Sequence, residues 1–271
     1  MPKRAVFASI LLGAFLVAPA ASFAAATITI AGSTALLPLV KDAAGEYQAE
    51  HPDVGISVSG GGSGTGINQV AAKAVDIGDS DISALEHREL HDNRIAVVGF
   101  AVITHPGVPV KNLTKAQIAG IFSGKTRNWK EVGGPDQKIV VINRPRNSGT
   151  RAVFTKTIMG GVPVSDAGLV EDSTATVVSV VRQTPGAIGY AAFSGTLAQG
   201  LNELSIDGVA PTGANIMIGK YPVWSYEHMF TNGPPTDEIA RFIAFVASGD
   251  DLIQKYGFIR ISDMKVRETD R

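Results

Sequence analysis

The sequence predicts an α/β protein with a mainly parallel sheet covered on both faces, arranged as two α/β lobes joined by crossing strands. Three observations point there. From Thr27 onward, short β-branched or apolar runs alternate with segments of helical periodicity, the pattern of βα units whose strands are buried on both sides. The 271 residues, 45% hydrophobic and 18% charged, are enough for a sizeable core in one or two domains. No internal repeat and no low-complexity linker interrupts the chain, so strands passing between lobes fit better than separate beads on a string.

The elements follow in order. "TITIAG" reads as a strand, and "LLPLVKDAAGEYQAE" as a helix that tolerates Pro38 in its first turn. "VGISVSG" is a second strand, "GINQVAAKAV" a short helix, "VDIGDSD" a third strand and loop, and "IAVVGFAVITH" a long apolar strand. After His105-Pro106, "TKAQIAGIFSG" is a helix stopped at Gly124 and "KIVVINR" a strand. "GTRAVFTKTIM" and "TATVVSVVRQT" are helices, the latter closed by Pro185-Gly186, and "AIGYAAF" is a strand. The last part, "YPVWSYEHMF" then "PTDEIARFIAFVASGDDLIQKYGF", is a strand and two helices. The crossings are expected near residues 100 to 105 and 220 to 230. That gives residues 27–103 plus 222–271 as lobe one and 104–221 as lobe two.

Residues 1–26 are expected to be a signal peptide. Lys3 and Arg4 precede an apolar stretch from Ala5 to Ala18, too short to span a bilayer comfortably, and Ala24-Ala25-Ala26 offers small residues for cleavage. Zero cysteines exclude a disulfide scaffold, a thiolate metal site and a lipid-anchored cysteine, which makes the periplasm the simplest destination. A net charge of -1 argues against nucleic acid as a partner.

Three strand ends run through small, hydroxyl-rich loops into helices: Gly32-Ser33-Thr34-Ala35, Gly62-Ser63-Gly64-Thr65 and Asn147-Ser148-Gly149-Thr150. Each offers unpaired backbone N–H groups, a positive helix end and a hydroxyl, a combination that suits an oxyanion. Any single one is most often a plain N-cap; the set, with Arg144, Arg146 and Arg151 around the third loop, carries the anion reading. "GGGSGTG" (60–66) lacks the lysine of a nucleotide-binding loop, since Gly66 is followed by Ile67-Asn68. Around Ser63 the nucleophile-elbow spacing fails at Thr65. His87 and His91 stand four apart in "EHRELHD", read as a solvated helix face, and His51, His105 and His228 add no metal spacing. Neither catalysis nor a metal or cofactor is expected.

The segments "AGSTALLPLV", "GGGSGTGINQVAAKAVDIGDSD", "IFSGKTRNWKEVGG", "INRPRNSGTRAVF" and "PGAIGY", in this order and spacing, resemble the short form of the periplasmic phosphate-binding proteins of ABC-type phosphate importers. The resemblance covers nearly the whole chain after the leader. It implies a type II periplasmic binding protein fold, two lobes that close on inorganic phosphate, and a partner permease in the inner membrane. It also implies a monomer and a ligand set of Thr34, Ala35 (through its N–H), Ser63, Asp81, Arg144, Ser148, Gly149 and Thr150, with Ser33 a weaker candidate. Asp81 would accept the proton that phosphate carries and sulfate lacks; the other reading of Asp81 is an N-cap for a helix near Ala84. Family members often carry an acidic residue two positions after the ligand arginine, where this chain has Arg146. That departure keeps molybdate or tungstate open as ligands, and a sensing or scaffold role is a further alternative.

Overall fold

The computed structural model describes residues 26–193 and 200–267. The expected leader lies outside the described residues except for Ala26. The first half builds parallel βα units. Strand β1 (Ala26–Gly32) leads to helix α1 (Leu37–Glu50), β2 (Val54–Ser59), α2 (Ser63–Ala71) and β3 (Ile77–Ser80), with β2 and β3 each parallel to β1. Helix α1 buries Leu39, Val40, Ala43, Ala44 and Tyr47 on the sheet, and Pro38 sits in its first turn, where the missing N–H costs nothing.

Strand β4 (Leu90–Thr104) is the spine of the molecule. Leu90–Gly99 pair antiparallel with β11 (Trp224–Asn232) around a bulge at Ile95, and Phe100–Thr104 pair antiparallel with β8 (Ala187–Ala192). The change of partner falls at Gly99, where a Cβ would lie 2.3 Å from Ile216 Cδ1 and 2.7 Å from the Phe193 ring. Only glycine lets the strand pass there. Beside it the Phe100 N–H donates to the Val223 carbonyl (2.9 Å) and the Tyr221 hydroxyl to the Phe100 carbonyl (3.0 Å).

Beyond β4 come β5 (Asn112–Leu113), α3 (Lys115–Phe122), β6 (Val140–Asn143), α4 (Gly149–Phe154), β7 (Leu169–Val170) and α5 (Thr174–Gln183), which leads into β8. Strand β6 runs parallel to both β8 and β7. The chain closes through β9 (Asn202–Glu203), β10 (Ser205–Ile206), α6 (Gly213–Met217), β11, α7 (Asp237–Ser248) and α8 (Asp250–Lys255). Among the described residues the principal sheet runs β2-β1-β3-β11-β4-β8-β6-β7. It is parallel at its flanks and antiparallel through its middle, so "mainly parallel" holds for each lobe's outer strands and not for the crossing.

Three local expectations need correction. "GINQVAAKAV" is helical from Ser63 and stops at Ala71, because Gly62, at φ 90°, opens the helix inside the glycine run and Lys73, at φ 57°, follows its end. "EHRELHD" is no helix: the Leu90 N–H turns back to the His87 carbonyl, and β4 starts at Leu90 because β11 pairs with it. No helix begins at Ala84, so Asp81 is not an N-cap.

Candidate functional site

The three loops meet at the seam between the two halves of the sheet. The β1–α1 loop is held by Ser33, whose buried hydroxyl oxygen accepts from the Ala35 and Leu36 N–H groups, both at 3.1 Å. The Ala35 N–H is therefore engaged by Ser33. Ser33 in turn donates to Asp81 Oδ1. The β2–α2 loop brings Ser63, buried, to accept from the Asp81 N–H at 2.9 Å.

Residues of the β6–α4 loop complete the ring. Thr150 donates to Asp81 Oδ2 at 2.8 Å, and Ser148 caps α4 by accepting from the Arg151 N–H at 3.2 Å. Gly149 packs so closely that a Cβ on it would stand 2.2 Å from Ser63 Oγ and 2.9 Å from Asp81 Cβ. A clamp beside them crosses the same seam: the Gly64 N–H donates to the Asn147 carbonyl (2.9 Å), and Asn147 Nδ2 donates to the Gly61 carbonyl (2.9 Å) and Thr65 Oγ1 (3.0 Å). At the surface the seam opens as a cleft of about 450 Å³ lined by Thr34, Gly60, Gly61, Pro145, Asn147 and Asp172.

Arg144 supplies the charge. It follows β6, is buried, and donates through Nη2 to Thr34 Oγ1 (3.0 Å) and the Asp172 carbonyl (3.1 Å), while Nε and Nη1 are buried without a partner. Burial lowers its pKa, against which the Asp81 charge works, and a guanidinium stays protonated under such shifts. A buried cation with two unmatched donors, beside hydroxyls and helix N-termini, is a site for an oxyanion. Its backbone is fixed from below, because Asn143 Oδ1 accepts from the Arg144 N–H (2.9 Å) and the Tyr190 hydroxyl (2.5 Å), and the Arg151 guanidinium donates to the Arg144 carbonyl (2.6 Å).

All eight residues proposed from sequence stand around this seam. Arg146 stands outside it, 86% exposed and 3.9 Å from an equally exposed Asp166. Sequence reasoning passed over four contributors. Thr174 opens α5 with its N–H on Thr34 Oγ1 at 3.3 Å and its own hydroxyl buried without a partner; the cap pattern of "STAT" was the available signal. Ser225 donates to the Asp81 carbonyl at 2.6 Å, and Asp79 and Glu227 are fully buried carboxyls behind Asp81. The acidic and polar letters inside the apolar runs "DIGDSD" and "WSYEHMF" marked these three. Burial pushes both carboxyls well above the usual carboxylate range, with the Asp81 charge adding to each.

Comparison with known proteins agrees with this geometry. The model of the PBP superfamily domain matches residues 17–250. The chain is 43% identical over 251 residues to the phosphate-binding protein PstS of Bacillus subtilis, covering 90% of this chain and 83% of the relative. PstS of Borreliella burgdorferi is 28% identical over 250 residues, covering 86% and 90%. Among solved structures, a putative phosphate ABC transporter substrate-binding protein with bound phosphate from Clostridium perfringens superposes with a TM-score of 0.81 at 32% identity, over 87% of this chain and 99% of that one. An ABC-type phosphate transport receptor from Vibrio cholerae gives 0.71 at 32% identity, over 86% and 99%. With a two-lobed type II binding-protein fold, and with its loops meeting on a buried arginine, the chain belongs to the PBP superfamily and, within it, to the PstS-like phosphate-binding proteins.

Proposed function

We propose that this protein captures inorganic phosphate between its two lobes in the periplasm and hands it to an ABC importer of the inner membrane, without chemistry of its own. The observation that carries the reading is Arg144, whose buried Nε and Nη1 lack partners at the meeting of the three loops. The relatives named for phosphate binding and phosphate transport support it. In this reading Arg144 takes two ligand oxygens, Thr34, Ser63 and Ser148 supply hydroxyl donors, Gly149 supplies a backbone N–H, and Asp81 accepts the ligand's proton, while Ala35, its N–H on Ser33, and Thr150, its proton on Asp81, shape the site around the ligand.

The lobes, residues 27–103 with 222–271 and residues 104–221, close by bending where β4 changes partner and where Val223 meets Phe100. The chain acts as a monomer once residues 1–26 are removed. Arg146, outside the seam, adds no charge that would favour a larger or more highly charged anion.

A thermal-shift panel tests this. Phosphate and arsenate raise the melting temperature in proportion to the logarithm of ligand over dissociation constant, while sulfate and molybdate leave it unchanged. Absence of a phosphate shift removes the reading; an equal or larger molybdate shift replaces phosphate with the larger anion. Turnover of a chromogenic phosphate ester would make the protein an enzyme instead.

A further inference from the structure

Behind Asp81 lies a carboxyl that ligand capture leaves without a task. Glu227, on β11, is fully buried, and neither of its oxygens meets a donor; the antiparallel pairing of β11 with β3, His228 opposite Ser80, brings it next to Asp81, one residue beyond β3. Two buried carboxyl groups side by side share a proton, since two buried carboxylates there are strongly disfavoured. The donors decide which one carries the charge. Asp81 receives the Ser33 hydroxyl at Oδ1 and the Thr150 hydroxyl at Oδ2, and Arg144 interacts with it electrostatically. Glu227 receives nothing.

We propose that Glu227 is a positioning residue: a neutral carboxylic acid on the hinge strand that donates its proton to the Asp81 carboxylate from behind and so turns Asp81 into a one-place acceptor for the ligand. The inference rests on the phosphate reading given above. An ionised carboxylate offers about four acceptor positions. Ser33, Thr150 and Glu227 occupy three, which leaves one for a P–OH group. A protonated oxyanion fills that place, and an unprotonated one such as sulfate meets a lone pair instead of a donor.

Strand β11 also fixes the Asp81 main chain, because Ser225, two residues before Glu227, donates to the Asp81 carbonyl at 2.6 Å. Both the backbone and the side chain of Asp81 are thereby set by the strand that pairs with β4 up to the change of partner at Gly99.

The charged surroundings of Glu227 are few. Asp81 and Asp79 act on it from β3 and the loop that follows, and Arg144 lies beyond Asp81 in the other lobe. On β4 the residue opposite is Ala96. The neighbouring His228 is occupied by Asp92 at 2.6 Å, and Arg94 sits over the Tyr226 ring and pairs with Asp92. Burial, then Asp81, then Asp79 hold the Glu227 proton on well above the usual carboxylate range. As pH rises through that raised value the proton leaves, a second negative charge appears beside Asp81, and affinity for an anion falls.

The test uses the purified protein and two variants, with calorimetric titration of phosphate from pH 6 to 10 and infrared difference spectra of the carboxyl region. The wild-type-minus-Glu227→Gln difference spectrum at pH 7 shows one protonated-carboxyl band, that of Glu227, while the contribution of Asp79 is common to both proteins and cancels. Glu227→Leu, which loses the donor, weakens phosphate binding at pH 7 by about tenfold, the worth of one hydrogen bond to a charged group. Glu227→Gln rescues it, because the amide still donates, and its affinity declines less than wild type on the alkaline side. Absence of a protonated-carboxyl band from that difference spectrum, or an alkaline decline identical to wild type, overturns the proposal, and both comparisons stand even where the leucine variant fails to fold. If wild type binds no phosphate at all, the functional reading falls and the ligand-directed role falls with it, while the infrared band still reports whether Glu227 holds the proton.

Discussion

In the proposed reading, Arg144 and Asp81 divide the work of recognition between charge and discrimination. The guanidinium is among the largest side chains the fold buries fully, and burying it with two N–H groups unmatched is costly unless an anion completes them. Replacing Arg144 with Met should weaken phosphate binding by about 2–5 kcal/mol, the range for losing one partner of a buried hydrogen-bonded charge pair, as read by calorimetry. Replacing Asp81 with Asn acts differently. The amide can donate to an unprotonated oxygen, so sulfate affinity should rise and the phosphate-to-sulfate ratio shrink, and a ratio equal to wild type would remove Asp81 from selectivity. At this scale the sequence was informative: an arginine directly after the apolar run "IVVIN" was bound to be drawn inward with the strand. Arg146, two residues later, carries the same charge but sits after Pro145 in a turn that faces water, a distinction no local pattern expresses.

Among the elements, helix α4 and the loops around it decide how closely the lobes can meet. Gly149 touches Ser63 and Asp81 across the seam, and an added methyl at 2.2 Å from Ser63 Oγ cannot be accommodated without separation. Gly149→Ala should therefore reduce phosphate affinity by at least about tenfold, while the melting temperature without phosphate changes little, because the contact lies between lobes and not within either core. Small-angle scattering with and without phosphate would show the variant less compact than wild type in the bound form. The misread segment belongs here as well. "EHRELHD" has the charge content of a solvated helix, yet Leu90–Asn93 become strand because β11, some 140 residues later, offers hydrogen bonds along them. Propensity is a weak prior against pairing of that kind.

Over the whole molecule, the buried carboxyls tie folding to pH. Asp79 and Glu227 have folded pKa values raised by burial and then by Asp81, so between the ordinary carboxylate range, roughly pH 4, and those raised values the folded chain holds protons that the unfolded chain has released. Stability therefore falls as pH rises through that window. Asp79→Asn should flatten the fall and raise the melting temperature at pH 8 relative to wild type; each unit of raised pKa is worth about 1.4 kcal/mol, or roughly 3–6 °C for a chain of this size. Scanning calorimetry at pH 5 and pH 8 would check it, and a variant no more stable at pH 8 would show that Asp79 holds no extra proton.

The alternation of apolar strands and amphipathic helices, the three glycine- and hydroxyl-rich loops, and the arginine after β6 were determined by the sequence alone, because each rests on interactions within a few residues. The tertiary structure decided what those loops face. It placed Asp81 among Ser33, Ser63 and Thr150, and brought Glu227 and Ser225 behind it from a strand nearly 150 residues downstream. It also ran β4 through both halves of the sheet. The reason is physical: proton sharing between buried carboxyls and close approach at a glycine depend on which distant surfaces exclude water together, and only the packed chain fixes that.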